Sequence, residues 1–169
     1  MTEMNDTIAI KDMLSAASPF IKTLVDTFVT PKLTAFRDKF KAEKNIKYIP
    51  TESHFTEYFH RTYKKLAVIN TLVFNNSQRL LTEIYLPLTL TITNDRKIKT
   101  KVSGFPKNIS DEFGNILVTD TAGMGKSTLM KTIFIDTINK NIGIPIFIEL
   151  RRLTNSKKII QEIQRALRS

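Results

Sequence analysis

The sequence predicts an α/β protein. A helical region over residues 1–82 is followed, over 83–169, by the opening strand-loop-helix-strand-helix of a parallel sheet, with the later part of such a sheet missing. Three observations carry this expectation. Apolar residues recur at helical spacing through most of the first half, strict two-residue alternation begins at Tyr85, and a glycine-rich loop at 123–125 separates an apolar run from an amphipathic one.

The first half is punctuated by prolines. Ile8, Met13, Ala16 and Ala17 form a short stripe, and Ser18-Pro19 is expected to cap and open a new helix. Phe20, Leu24 and Phe28, with Ile21 and Val25 beside them, continue at helical spacing. Thr30-Pro31 repeats the punctuation before Leu33, Phe36 and Phe40. A charged loop over 42–48 and Pro50 precede a longer helix from Thr51, with Phe55, Phe59, Leu66 and Ile69 as its stripe and Tyr58 and Thr62 beside it. Asn75-Asn76-Ser77 breaks the pattern, and 78–84 resumes it. These aromatics read as core, and His54 and His60 as surface or packing residues.

From Tyr85 the period is two. Leu86, Leu88, Leu90 and Ile92 alternate with Pro87, Thr89, Thr91 and Thr93, as in a half-buried strand that begins or lies at a sheet edge because Pro87 has no donor. Asn94-Asp95 supplies a turn, the basic run 96–101 returns from it, and 104–111 reads as a loop. A short apolar strand is expected at 115–119, a helix at 127–138 with Leu129, Ile133 and Ile138 inward, and a second strand at 144–148. Thr154 or Asn155 then caps a basic helix carrying Ile159, Ile160, Ile163 and Leu167 on one face.

Composition excludes several classes. The apolar fraction of 41% and charged fraction of 25% belong to a folded chain, and the absence of cysteine excludes disulfides and cysteine zinc sites. The acidic, polar start is unlike a signal peptide, and no apolar run approaches the ~20 residues that span a bilayer. A cytoplasmic protein without membrane contact is therefore expected. The net charge of +10 raises nucleic acid as a partner, with Arg151, Arg152, Lys157, Lys158, Arg165 and Arg168 as the densest cluster. A solvated helix face is the favoured reading of that cluster, since no aromatic residue interleaves with it.

Chemistry concentrates between Asp120 and Thr128. Gly123 and Gly125 free the backbone so that consecutive N–H groups can face an anion, Lys126 supplies charge, and Ser127 places a hydroxyl on the first helical turn, where magnesium would be held. Thr121, Ala122 and Met124 complete the loop, and Thr128 lies one residue into the helix, whose N-terminus attracts phosphate. This is a phosphate-binding loop for ATP or another nucleoside triphosphate with Mg2+. The usual pattern has glycine at the first position, where this chain has Asp120. Aspartate tolerates the turn, and its carboxylate can bond the loop's own backbone. Ile146-Phe147-Ile148-Glu149 also fits an apolar run closed by an acid, as in a Walker B strand. It stands only 23 residues past Lys126, however, and is followed by Leu150, so it is read as the second strand, with no catalytic residue assigned.

From about Phe55 onward the chain resembles the start of bacterial NACHT proteins, the P-loop NTPase modules of signal-transducing STAND proteins. The resemblance runs through Phe55-Thr56-Glu57-Tyr58-Phe59, then 83–90, then Asp120 to Lys131 with the alanine before Gly123, and then Ile144 to Arg151. It implies a partial NACHT-like nucleotide-binding domain over 83–169 and an ATP-dependent switch that oligomerises on sensing a trigger, in bacteria often a phage component. It also implies that Lys126 contacts the β- and γ-phosphates and Ser127 the magnesium. A NACHT module is expected to continue with a Walker B strand, a sensor strand and a winged helix, and 43 residues follow Lys126. The chain therefore reads either as the ATP-binding portion of a longer defence ATPase, with little hydrolysis of its own, or as a short non-catalytic protein that binds a full-length relative.

Overall fold

The computed structural model describes residues 12, 15–42, 50–70, 78–92, 95–153 and 159–168. The expectations for Ile8, Met13, the 42–48 loop, Asn75-Asn76-Ser77, Asn94, Thr154, Asn155, Lys157 and Lys158 lie wholly or mostly outside them. What is described is a mixed fold, mostly helical, with two small antiparallel sheets.

Helix α1 covers 15–24 and passes into one wide turn, Val25–Val29, one tight turn, Thr30–Lys32, and helix α2, Leu33–Ala42. The prolines therefore do not open separate helices. Pro31 has no N–H to donate four residues back, so the ladder changes pitch around it. Thr30 N–H reaches back to the Val25 carbonyl, its hydroxyl bonds the same carbonyl at 3.2 Å, and Leu33 N–H closes on Thr30. Pro19 likewise sits within α1. The buried face runs through Ala17, Ile21, Leu24, Val25 and Val29, while Phe20, expected on the stripe, is exposed. The side chains of Phe36 and Phe40 are outside the described residues.

Helix α3, Glu52–Ala67, follows its pattern closely. Phe55, Phe59 and Leu66 are fully buried, and Tyr58 and Tyr63 join them. Thr51 caps it, and His54, read as a packing residue, has a local role: its Nδ1 accepts the Thr51 N–H at 3.1 Å. The chain then forms strands β1, Val68–Asn70, and β2, Gln78–Leu80, which pair antiparallel, followed by the single helical turn α4, Leu81–Ile84. Sequence reasoning placed one helical segment at 78–84. Three-residue strands are too short to display a period of two.

Strands β3, Leu88–Ile92, and β4, Asp95–Val102, form the expected hairpin, with Leu88 opposite Val102. The stretch after it is not all loop. Helix α5, Lys107–Glu112, is held by Ser110 N–H to Pro106 O and Phe113 N–H to Ile109 O. Helix α6, Lys126–Asn139, ends in a Schellman motif with Asn141 at φ 51°. Asn141 N–H bonds Ile138 O and Ile142 N–H bonds Thr137 O, so the helix closes on an asparagine. Helix α7, Ile159–Arg168, completes the described chain.

The runs expected as parallel strands, 115–119 and 144–148, have no ladder partner among the described residues, where the only sheets are the two antiparallel pairs. A strand exists only through its neighbour, and parallel strands are covered on both faces. Leu117 is instead 87% exposed and Ile116 46%. Ile144, Ile146 and Phe147 do pack against the core.

One core cluster draws on both sides of the boundary expected at residue 82, uniting α1, α3, α6 and α7. Tyr58 sits at its centre, edge-on to Phe134 at 6.3 Å, and Phe134 in turn is edge-on to Phe147 at 6.3 Å. No helix among the described residues is long and apolar enough to cross a membrane.

Candidate functional site

The loop begins where the irregular segment 113–120 meets α6. Gly123 has φ +86° and Gly125 φ +82°. A Cβ on Gly123 would meet nothing within 4 Å, and one on Gly125 would make only ordinary contact with Leu88 at 3.5 Å. Backbone conformation, not space, therefore demands glycine at both positions. Gly125 is the N-cap of α6, and its carbonyl accepts Leu129 N–H at 2.8 Å. Lys126, Ser127 and Thr128 occupy the first helical turn, where N–H groups have no partner within the helix.

Lys126 folds back over the loop. Its Nζ donates to the Asp120 carbonyl at 2.9 Å and the Thr121 carbonyl at 2.5 Å. These are the contacts an anion in the loop must replace. Asp120 Oδ1 accepts Thr121 N–H at 2.7 Å and lies 3.4 Å from the Thr121 hydroxyl. The departure at the first loop position thus has a local function: its carboxylate holds the turn that glycine would otherwise permit. Asp120, Thr121, Ala122, Gly123, Met124 and Ser127 are exposed, and Gly125, Lys126 and Thr128 half-buried.

Beside the loop lies a cleft of about 740 Å³. One wall is β3, and the other is Phe113 with segment 115–120. Met124 and Lys126 stand at the end nearest the loop. The volume is that of a small-molecule site, and its lining mixes apolar side chains with threonines, Asn115, Asp120 and Lys126 in nearly equal measure.

Glu149 belongs to another region. Its carboxylate pairs with Arg151 at 2.5 Å and Lys65 at 3.6 Å and lines a smaller cavity between α3 and α7. Of the basic cluster near the end of the chain, Arg151 is paired with Glu149 and Arg165 lies 3.6 Å from Glu162. Those pairings reduce the charge available to a polyanion.

Two features of this region escaped sequence reasoning. Tyr58 Oη accepts the Phe147 N–H at 2.7 Å, and Asp136 on α6 accepts the Phe105 N–H at 2.7 Å. Both are long-range contacts whose only local trace is a polar atom at an inward helical position. Compared with protein families, curated proteins and solved structures, the chain matches none.

Proposed function

We propose that residues Asp120 to Thr128 bind the polyphosphate of a nucleoside triphosphate, with ATP as the leading ligand. On this reading the chain is the nucleotide-binding portion of a NACHT-type STAND signalling NTPase acting in bacterial defence against phage. The observation that carries it is the pair of positive-φ glycines that bring Lys126 Nζ to the mouth of the loop at the head of a 14-residue helix. Phosphate oxygens are stronger acceptors for Nζ than the two carbonyls that hold it, and the N–H groups of the first turn add to the attraction. The adjoining cleft has room for the nucleoside.

Ser127 is the residue that would hold magnesium. Its exposed hydroxyl fits a site whose other oxygens come from phosphate and water, and the metal would neutralise phosphate charge there. The ion pairs of Glu149 favour binding over hydrolysis in this chain. The parallel sheet through 115–119 and 144–148, oligomerisation and a cytoplasmic location are parts of the same proposal.

A second reading is a non-catalytic protein that binds a full-length relative. It is favoured by the exposure of Ile116 and Leu117 on an unpaired segment. Calorimetric titration with Mg-ATP tests the first reading. Micromolar-range binding that is lost in Lys126→Ala is expected, and equal heats from both proteins would overturn it.

A further inference from the structure

The cleft has two walls of different origin, and something must hold them apart at a constant distance. The 115–120 wall runs directly into the loop. The β3 wall belongs to a hairpin that meets α6 through tertiary contacts, two of which stand out among the described residues.

The first is at the loop itself, where Leu88, the first residue of β3, lies against Gly125. The second is about three turns further along α6. Directly after β4, Gly104 packs so closely on Asp136 that a Cβ there would fall 2.4 Å from Oδ2 and 2.6 Å from Cγ. Phe105 N–H donates to that same Oδ2 at 2.7 Å, and Lys140 Nζ holds it from the other side at 2.9 Å. An added methyl must therefore push the carboxylate off the Phe105 N–H, the less exposed of its two partners, since Lys140 is well exposed. The hairpin transmits this anchoring to β3, because Val102 pairs with Leu88 and its carbonyl accepts the Tyr85 hydroxyl at 2.8 Å.

We propose that Asp136 is a positioning residue, which with Gly104 clamps the β3–β4 hairpin to α6 and so sets the width of the cleft beside the phosphate loop. The inference rests on the nucleotide-binding reading. It assigns Asp136 to the nucleoside end of the ligand and not to the phosphates, since the hydrogen bonds that shape the loop run among residues 120–129 and none of them involves the hairpin.

The two ends can be read separately by titrating the full chain with Mg-ATP and with Mg-tripolyphosphate, which has the phosphates and no nucleoside. Asp136→Ala and Gly104→Ala are each expected to weaken ATP about tenfold while changing tripolyphosphate less than about twofold. Asp136→Asn keeps an oxygen acceptor for Phe105 N–H and is expected to restore most of the ATP affinity. Circular dichroism accompanies every variant, and if Asp136→Ala does not fold, Gly104→Ala, which keeps the carboxylate, decides the question. Equal losses for both ligands, or undiminished ATP binding, would overturn the clamp and leave the phosphate loop standing. Failure of the wild-type chain to bind either ligand would overturn the nucleotide-binding reading and the clamp with it.

Discussion

The phenol of Tyr58 on α3 accepts the backbone N–H of Phe147 at 2.7 Å, across 89 residues of sequence. Together with the packing of Phe147 on Phe134, this bond joins α3 to an apolar segment that has no strand beside it among the described residues. Burial raises the Tyr58 phenol above the ordinary value of 10.0, against the lowering effects of the Phe147 N–H, the Thr62 hydroxyl and Arg61.

Tyr58→Phe should therefore destabilise the protein by about 1–3 kcal/mol at neutral pH, because it leaves a partly buried N–H without its acceptor. The raised phenol also gives a pH signature. The native state keeps that proton at pH values where the unfolded chain has released it. The stabilisation is complete below pH about 10 and is lost as pH rises through the native phenol's pKa. Urea unfolding at about pH 8 and about pH 11 should show a steeper loss in wild type than in Tyr58→Phe. Parallel losses would contradict the assignment.

Lys126 carries the second prediction. On the proposed reading its removal would delete a charge-assisted contact worth about 1.5–3 kcal/mol in nucleotide affinity. The same substitution costs the free loop little, because the bonds to the Asp120 and Thr121 carbonyls are exposed. Lys126→Ala should melt within a few degrees of wild type while losing Mg-ATP binding by calorimetry.

Asp120 offers a test of opposite sign. Its carboxylate accepts the Thr121 N–H, so within the proposed loop it is expected to shape the backbone and not to touch phosphate. Asp120→Gly should preserve or improve ATP affinity, since it removes a negative charge and restores a residue suited to the turn. A large loss in a folded variant would assign the carboxylate a direct role in binding.

Glu149→Gln should alter stability more than turnover. The carboxylate is held by Arg151 and Lys65, both well exposed, so the change is expected to cost less than about 1 kcal/mol. A phosphate-release assay is expected to give negligible turnover in wild type and variant alike. Robust turnover abolished by Glu149→Gln, with ATP binding intact, would reverse this reading.

The helical core was legible because Phe55, Phe59 and Leu66 repeat on one face through sixteen residues, long enough for the period to outweigh local exceptions. The hairpin at 88–102 was legible from alternation. The turn at Gly123 and Gly125 was legible from residue types alone, since both take the positive φ that favours glycine. The parallel strands were not. Apolar composition at 115–119 and 144–148 marks segments able to be covered but does not say what covers them. Pro19 and Pro31 misled because a proline can alter the pitch of a helix without ending it. The Asp136–Phe105 contact had no sequence signature, since Asp136 reads as an ordinary polar residue on a helix.

The unpaired run at 115–119 has a consequence for how the protein handles in solution. Its backbone amides lack ladder bonds among the described residues, so they should exchange with deuterium within seconds, while the amides of α3 hold out until the whole molecule opens. Weak protection there coincides with an uncharged, β-prone sequence, Asn115-Ile116-Leu117-Val118-Thr119. Self-association on storage should begin there, and a lysine at Leu117, exposed and away from the helical core, should act as a gatekeeper that slows it without lowering the melting temperature.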